Sequence, residues 1–393
     1  MSRRELGPIP VSGAWTPSDP VAFRKFAHLG PLRLENGSFL PEVTLAYETL
    51  GTLNEDRSNA ILVLHALTGD AHISGPAAPG QVTAGWWEEA VGPGKPLDPP
   101  GKPLDPERYF IVVPNVLGGC QGSTGPSSAA PDGQPWGSRF PVISTRDQVQ
   151  AEARLADYLG IPTWNTVIGA SLGGHRALEW GVTFPLRCER LVVVASAACT
   201  NAERAAWAHT QIRAIELDPN WRGGDYYDQE EGPHAGLNLA RQIAHATYRC
   251  PDELDARFGR APQDREDVLS GGRLAVQSYL DYHGAKLVRR FDAGSYVSLC
   301  RTMLSYDIGR DRGGITEALR QITARTLVIS VDSDRLFFAK EGLKVAEGIP
   351  GAQYACLSSP HGHDGFLIEY DQLNRVLEDF LENQPSFIDS SAL

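Results

Sequence analysis

At 393 residues, with 42% hydrophobic and 21% charged side chains, the chain is long enough for one large α/β domain with an insertion, or for two domains. A net charge of −12 and a pI near 5.3 argue against nucleic acid or an anionic membrane as partner, so an anionic substrate would need local positive charge. No apolar run reaches the roughly 18–20 residues that span a bilayer, and Met1-Ser-Arg-Arg-Glu-Leu-Gly-Pro8 carries no apolar segment after its charges, so a cytoplasmic protein is expected.

Residues 1–33 are rich in Pro and Gly and lack periodicity, which predicts an arm lying over the surface. Val43–Glu48 alternates like a half-exposed strand, and Ala60–Leu64 is a continuous apolar run suited to a central parallel strand. The second run ends in His65-Ala-Leu-Thr-Gly-Asp70. Gly94-Lys-Pro-Leu-Asp-Pro99 recurs as Gly101-Lys-Pro-Leu-Asp-Pro106, a tandem duplication expected to lengthen a surface loop rather than a solenoid repeat. Tyr109–Pro114 is another buried strand. The glycine-rich Asn115–Pro126 after it lacks the Lys-Ser/Thr ending and helix start of a phosphate loop, so a loop at an active-site mouth is the better reading. Thr145–Leu159 is an amphipathic helix, capped by Thr145 and closed by Gly160.

The stretch Thr166-Val-Ile-Gly-Ala-Ser-Leu-Gly-Gly-His175 organises the rest. It reads as a strand, a sharp turn and a helix start, with Gly169-Ala-Ser-Leu-Gly173 matching G-x-S-x-G. Ser171 sits at the apex of such a turn, where small flanking residues let its hydroxyl stand clear of the sheet. The same arrangement requires an acid after a later strand and a histidine after the last. Thr326–Val331 runs into Asp332-Ser-Asp334, and Gln353–Leu357 is followed by Ser-Ser-Pro-His-Gly-His363-Asp364, which supplies both in order. The triad is read as Ser171, Asp334 and His363, with Asp332 and His361 as weaker candidates for acid and base. His65 precedes the serine and is assigned a structural role. In such a fold the loop after Ala60–Leu64 and the residue after the nucleophile each give one oxyanion-binding N–H, here Leu67 and Leu172.

Between residues 197 and 321 strand-like runs vanish, and helix-favouring stretches (201–216, 236–248, 271–291) are joined by polar or glycine-rich loops. The reading is an α/β core with a mostly parallel central sheet (residues 1–196 and 321–393) interrupted by a helical lid (197–320). The six cysteines are scattered without a C-x-x-C pair, so buried free thiols are expected rather than zinc ligands or a disulfide framework.

His65-Ala-Leu-Thr-Gly-Asp70, Asn115–Cys120 with Gly122–Pro126, Gly169–Gly174, Leu239-Ala-Arg-Gln-Ile243, Ser333–Phe337 and Gly362–Leu367 together resemble the homoserine O-acetyltransferases of the α/β-hydrolase superfamily, over nearly the whole chain. Ala170 and Leu172 stand where Gly and Met are common in that family, and Phe338 where Pro is common. The resemblance implies the α/β-hydrolase fold and transfer of acetyl from acetyl-CoA to the side-chain hydroxyl of L-homoserine, in methionine biosynthesis. It implies Ser171 as nucleophile, His363 as base, Asp334 as its orienter, and Arg241 and Asp364 as the homoserine-binding pair. It also implies a homodimer joined through the lid helices, acetyl-CoA as co-substrate, and no resident cofactor or metal. Relatives that use succinyl-CoA or L-serine, and hydrolases that give the acyl group to water, are the alternatives. An Arg and a carboxylate suit a zwitterionic acceptor, for which a simple esterase has no use.

Overall fold

A continuous apolar run buries both faces of a strand, and side chains then alternate between the two helical layers on either side of the sheet. Eight strands, the central ones of this kind, form one sheet in the computed structural model, which describes residues 8–92 and 102–382. They are β1 (Lys25–His28), β2 (Thr44–Leu50), β3 (Ala60–Leu64), β4 (Phe110–Pro114), β5 (Trp164–Ala170), β6 (Cys188–Val194), β7 (Arg325–Val331) and β8 (Gln353–Leu357). Their spatial order is β1-β2-β4-β3-β5-β6-β7-β8. From β4 to β8 all neighbours are parallel, while β2 is antiparallel to both β1 and β4.

The alternation is clean. Leu62, Leu64, Val167, Leu191 and Val193 pack with α1 (Thr145–Leu159) and α2 (Leu172–Thr183) through Val149, Leu155, Leu178 and Trp180. The intervening Ile61, Val63, Ile168, Val192 and Val194 point the other way and join Leu373, Leu377 and Phe380. Between β6 and β7 the described residues form only helices and loops, apart from isolated bridges: α3 (Ala202–Glu216), α4 (His234–Tyr248), α5 (Pro251–Phe258), α6 (Ala275–Leu287), α7 (Ala293–Leu304) and α8 (Ile315–Arg320), with short 3-10 turns. The core resumes with β7, α9 (Ala339–Gly348), β8, the single turn α10 (Gly365–Ile368) and α11 (Tyr370–Leu381).

The helices between β6 and β7 share with the loops of the core one apolar cluster, which includes Ile212 and Ile215 of α3, Leu237 of α4, Leu287 of α6 and Tyr296 of α7. Leu67 and Leu172 belong to the same cluster. The lid is therefore seated directly on the two residues expected to bind an oxyanion.

Several expectations need correction. Val43 and residues 45–48 are buried rather than half-exposed, because β2 is paired on both edges within the sheet, and Cys356 is exposed with Cys199 and Cys250 only partly buried. The stretch 1–33 is not wholly a surface arm: Lys25–His28 pairs with β2, and Arg24 is buried with its guanidinium on Gln121 and the Gly80 carbonyl. A four-residue edge strand is too short to show a period. The cap of α1 is Ser144 rather than Thr145, since Ser144 holds the extended backbone a cap needs and exchanges hydrogen bonds with Asp147. Of the duplicated hexapeptide, Gly94–Pro99 and Gly101 lie outside the described residues; in the remainder, Leu104 is fully buried and bridges to Val91, so that part is core.

Candidate active site

β5 ends at Ala170 and α2 starts at Leu172, so the chain must reverse within one residue. The turn is made by Ser171 at φ 56° and ψ −118°, a positive-φ conformation that costs a non-glycine residue on the order of 1–3 kcal/mol. Two glycines make it possible: a Cβ on Gly173 would stand 1.9 Å from the Leu64 carbonyl, and one on Gly169 1.9 Å from the Gly173 carbonyl. The turn is fixed by Ser171 N–H donating to Val194 O at 2.9 Å and by Ser196 Oγ donating to Ser171 O at 3.0 Å.

Loops after β7 and β8 bring the acid and base to this apex. Ser171 Oγ lies 2.9 Å from His363 Nε2, and His363 Nδ1 lies 2.7 Å from Asp334 Oδ2. The carboxylate fixes the ring proton on Nδ1 and leaves the Nε2 lone pair facing the hydroxyl. The other oxygen of Asp334 accepts from the N–H groups of Leu336 and Phe337 at 2.8 and 2.9 Å. Burial disfavours the imidazolium of His363, but the charge and hydrogen bond of Asp334, followed by Asp364, outweigh it, and its pKa stands above the ordinary value of 6.5. The competitors are elsewhere. Asp332 is exposed and accepts from Ser359 N–H, and His361 lies 3.9 Å from Glu253.

His65 is built into the scaffold: Nδ1 meets Ala66 O at 2.7 Å, and Nε2 accepts from Val116 N–H at 3.0 Å. Burial, then the nearby Arg176, lower its pKa to about 3, so it stays neutral and spoken for. It ties the turn bearing Leu67 to the Asn115–Pro126 loop. Leu172, as the first residue of α2, has an N–H without an acceptor in its own helix. The N–H of Leu67 belongs to the turn closed by Gly69 N–H donating to Ala66 O at 3.0 Å.

Above the apex lies α4. Arg241 donates to Thr68 Oγ1 at 3.5 Å and its guanidinium lies 5.7 Å from the Tyr248 ring, which in turn lies 5.6 Å from the His363 ring. Asp364 is engaged by Arg249 at 3.2 Å rather than by Arg241. Arg290 donates to Thr68 O at 2.7 Å. Sequence reasoning missed Tyr248, Arg249 and Arg290. The first was open to detection, since Tyr248 follows Arg241 by seven positions and two helical turns place both on one face. Among the described residues there is no cluster of three or more His, Cys, Asp or Glu able to hold a metal ion, and no helix long and apolar enough to cross a membrane.

The model of the alpha/beta hydrolase fold family matches residues 59–370. A homoserine O-acetyltransferase of Thermobifida fusca is 54% identical over 384 residues, 97% of this chain and 100% of that one. Among solved structures, a homoserine O-acetyltransferase from Bacillus anthracis superposes with a TM-score of 0.82 at 26% identity, covering 92% of this chain and 98% of that one. Esterase E22 superposes equally well, with a TM-score of 0.82 at 24% identity and 91% and 99% coverage, a likeness of fold alone. With identity above half over nearly the full length, beneath a family model spanning both halves of the core, the chain belongs to the homoserine O-acetyltransferase family of the α/β-hydrolase superfamily.

Proposed function

We propose that the protein transfers an acetyl group from acetyl-CoA to the side-chain hydroxyl of L-homoserine by a ping-pong mechanism, a step of methionine biosynthesis carried out in the cytoplasm. The observation that carries the chemistry is the unbroken chain from Ser171 Oγ through His363 to Asp334 at 2.9 and 2.7 Å. His363 takes the Ser171 proton as Oγ attacks the thioester carbonyl, and Asp334 stabilises the imidazolium that results. Collapse of the tetrahedral intermediate expels the CoA thiolate, which takes up the proton, and leaves acetyl-Ser171. The homoserine hydroxyl then loses its proton to His363 and attacks the acetyl carbonyl, and Ser171 leaves with that proton. The N–H groups of Leu67 and Leu172 receive the oxyanion in both halves. Nothing in this sequence of steps calls for redox or Lewis-acid chemistry, so acetyl-CoA enters as co-substrate and no resident cofactor is assigned.

Acceptor choice rests on charge. Arg241 is assigned to the homoserine carboxylate and Asp364 to its ammonium, the pairing that separates a transferase with a zwitterionic acceptor from an esterase. Arg241 sits at the Thr68 turn, and Asp364 follows His363 directly in the chain and is paired with Arg249. We also assign a homodimer through the lid helices, supported by a groove of about 420 Å³ on α4 and α6, where Ile9, Leu239 and Val288 lie among His234, Asn238 and Gln242, with Leu239 49% exposed.

The test mixes purified protein with acetyl-CoA or succinyl-CoA, and with homoserine, serine or water alone, while free CoA is followed. Stoichiometric acetyl-Ser171 with acetyl-CoA alone, discharged by homoserine, is the expected result. Steady CoA release without acceptor would identify a hydrolase, and faster turnover with succinyl-CoA or serine would reassign the substrates.

A further inference from the structure

Arg204 lies in the first turn of α3, in the lid and far along the chain from every triad residue, yet its side chain is only 2% exposed. Nη1 donates to the Leu336 carbonyl at 3.0 Å and to Glu341 Oε2 at 2.6 Å. Nη2 donates to the Cys199 carbonyl at 2.7 Å and to Glu341 Oε1 at 3.0 Å. Leu336 is the residue whose own N–H donates to Asp334 Oδ1. The guanidinium also lies 4.6 Å from the centre of the Phe337 ring, and that ring stacks on His363 at 5.2 Å. Phe337 N–H is the second backbone donor to Asp334. One lid side chain thus grips both the backbone that holds the acid and the ring that supports the base.

We propose that Arg204 is a positioning residue for acyl transfer: through Leu336 and Phe337 it holds Asp334 and His363 in line with Ser171, so that seating the first lid helix and aligning the triad are a single event. The proposal rests on the acyl-serine reading above. A merely structural ion pair would serve anywhere between α3 and α9. This one gives its two other Nη hydrogens to backbone carbonyls, and one of those peptides belongs to an acid-holding residue. A bidentate, stacked guanidinium also cannot be replaced by an ammonium without losing part of that set.

The experiment measures formation of acetyl-Ser171 by rapid quench and mass spectrometry in the full chain, comparing Arg204→Met, Asp334→Asn and the double variant. Misplacing the acid and base by about an ångström should slow acetylation on the order of 10²-fold in Arg204→Met, while KM for homoserine stays near the parent value. In the Asp334→Asn background the same substitution should add little, because both act on one pair. The charged groups facing His363 are Asp334, Asp364 and Arg204. Removing the Arg204 charge alone would move the acidic limb of the rate profile up in pH, whereas loosening Asp334 moves it down, and the downward shift is expected. Parent-like acetylation with only a lower melting temperature, a full multiplicative loss in the double variant, or an upward limb would each overturn the proposal. Should Arg204→Met not fold, Arg204→Lys and Glu341→Gln, which keep the positive charge, carry the acetylation and double-variant comparisons, and a limb that does not move down in them would overturn the proposal. Absence of acetyl-Ser171 in the parent would instead bring down the functional reading, and the proposal with it.

Discussion

Arg176 Nη2 donates to the His65 carbonyl at 2.6 Å, joining the helix behind the nucleophile to the turn that bears Leu67. The same guanidinium is paired with Glu152 at 2.7 Å, and Glu152 also accepts from Trp180 Nε1 at 2.8 Å. All of this is out of solvent, with Arg176 at 0% and Glu152 at 1% exposure. The Leu67 turn and α2 are therefore tied together through a buried ion pair. Truncating one partner strands the other charge, so Arg176→Ala should lose about 3–5 kcal/mol of unfolding free energy, measured by urea titration. A loss no larger than that of an exposed pair would show that water reaches Glu152.

Asp334→Asn should cut turnover by about 10⁴-fold with the fold intact, because an amide facing Nδ1 no longer dictates the tautomer or stabilises the imidazolium. Asp332→Asn should be mild, since that side chain is exposed and turned to Ser359. Steady-state CoA release in the two variants decides between them, and a reversed order would move the acid to Asp332.

Arg241→Ala should divide the two half-reactions. Loss of a charge-assisted pair with the acceptor carboxylate should weaken homoserine use by about 2–5 kcal/mol, while acetyl-Ser171 forms at nearly the parent rate. If the acetylation burst vanished and homoserine use survived, Arg241 would be contacting the CoA donor.

The acetylation half-reaction should lose rate as pH falls, with its acidic limb above 6.5. The base must be neutral to act, and the charges of Asp334 and Asp364 hold the His363 pKa above that ordinary value. Asp364→Asn removes one of the raising charges and should move the limb down. Acetylation rates across a pH series need no acceptor and so read His363 apart from any loss of homoserine binding. An unmoved limb would mean that Arg249, 3.2 Å from Asp364, cancels its field at the ring.

The strands from β2 to β8 and the helix around Arg241 were legible because burial leaves a local mark. A segment covered on both faces must be continuously apolar, as at Ala60–Leu64, and a lid helix shows its stripe at helical spacing. The apex was equally local. G-x-S-x-G records a backbone collision that any Cβ on Gly169 or Gly173 would create, and the order serine, acid, histidine follows from where successive strands end. Chemical type also narrowed the acid and base to adjacent pairs, Asp332 or Asp334 and His361 or His363.

The reading within those pairs, Asp334 and His363, was already made from the sequence; everything that supports those residues depended on contacts between distant segments. Nothing near Arg204 in the chain announces that its guanidinium meets the carbonyl of Leu336, and nothing near His65 shows its Nε2 accepting from Val116 N–H. Lys25–His28 is a strand because β2 presents an unpaired edge to it, not because its sequence has a period. A hydrogen bond depends on position and direction in space, and a linear pattern of residue types fixes neither until the sheet and lid have closed around it. The sequence by itself determined the fold class and the residue types that do the chemistry. The tertiary structure decided which buried charges and backbone donors keep Asp334 and His363 at Ser171.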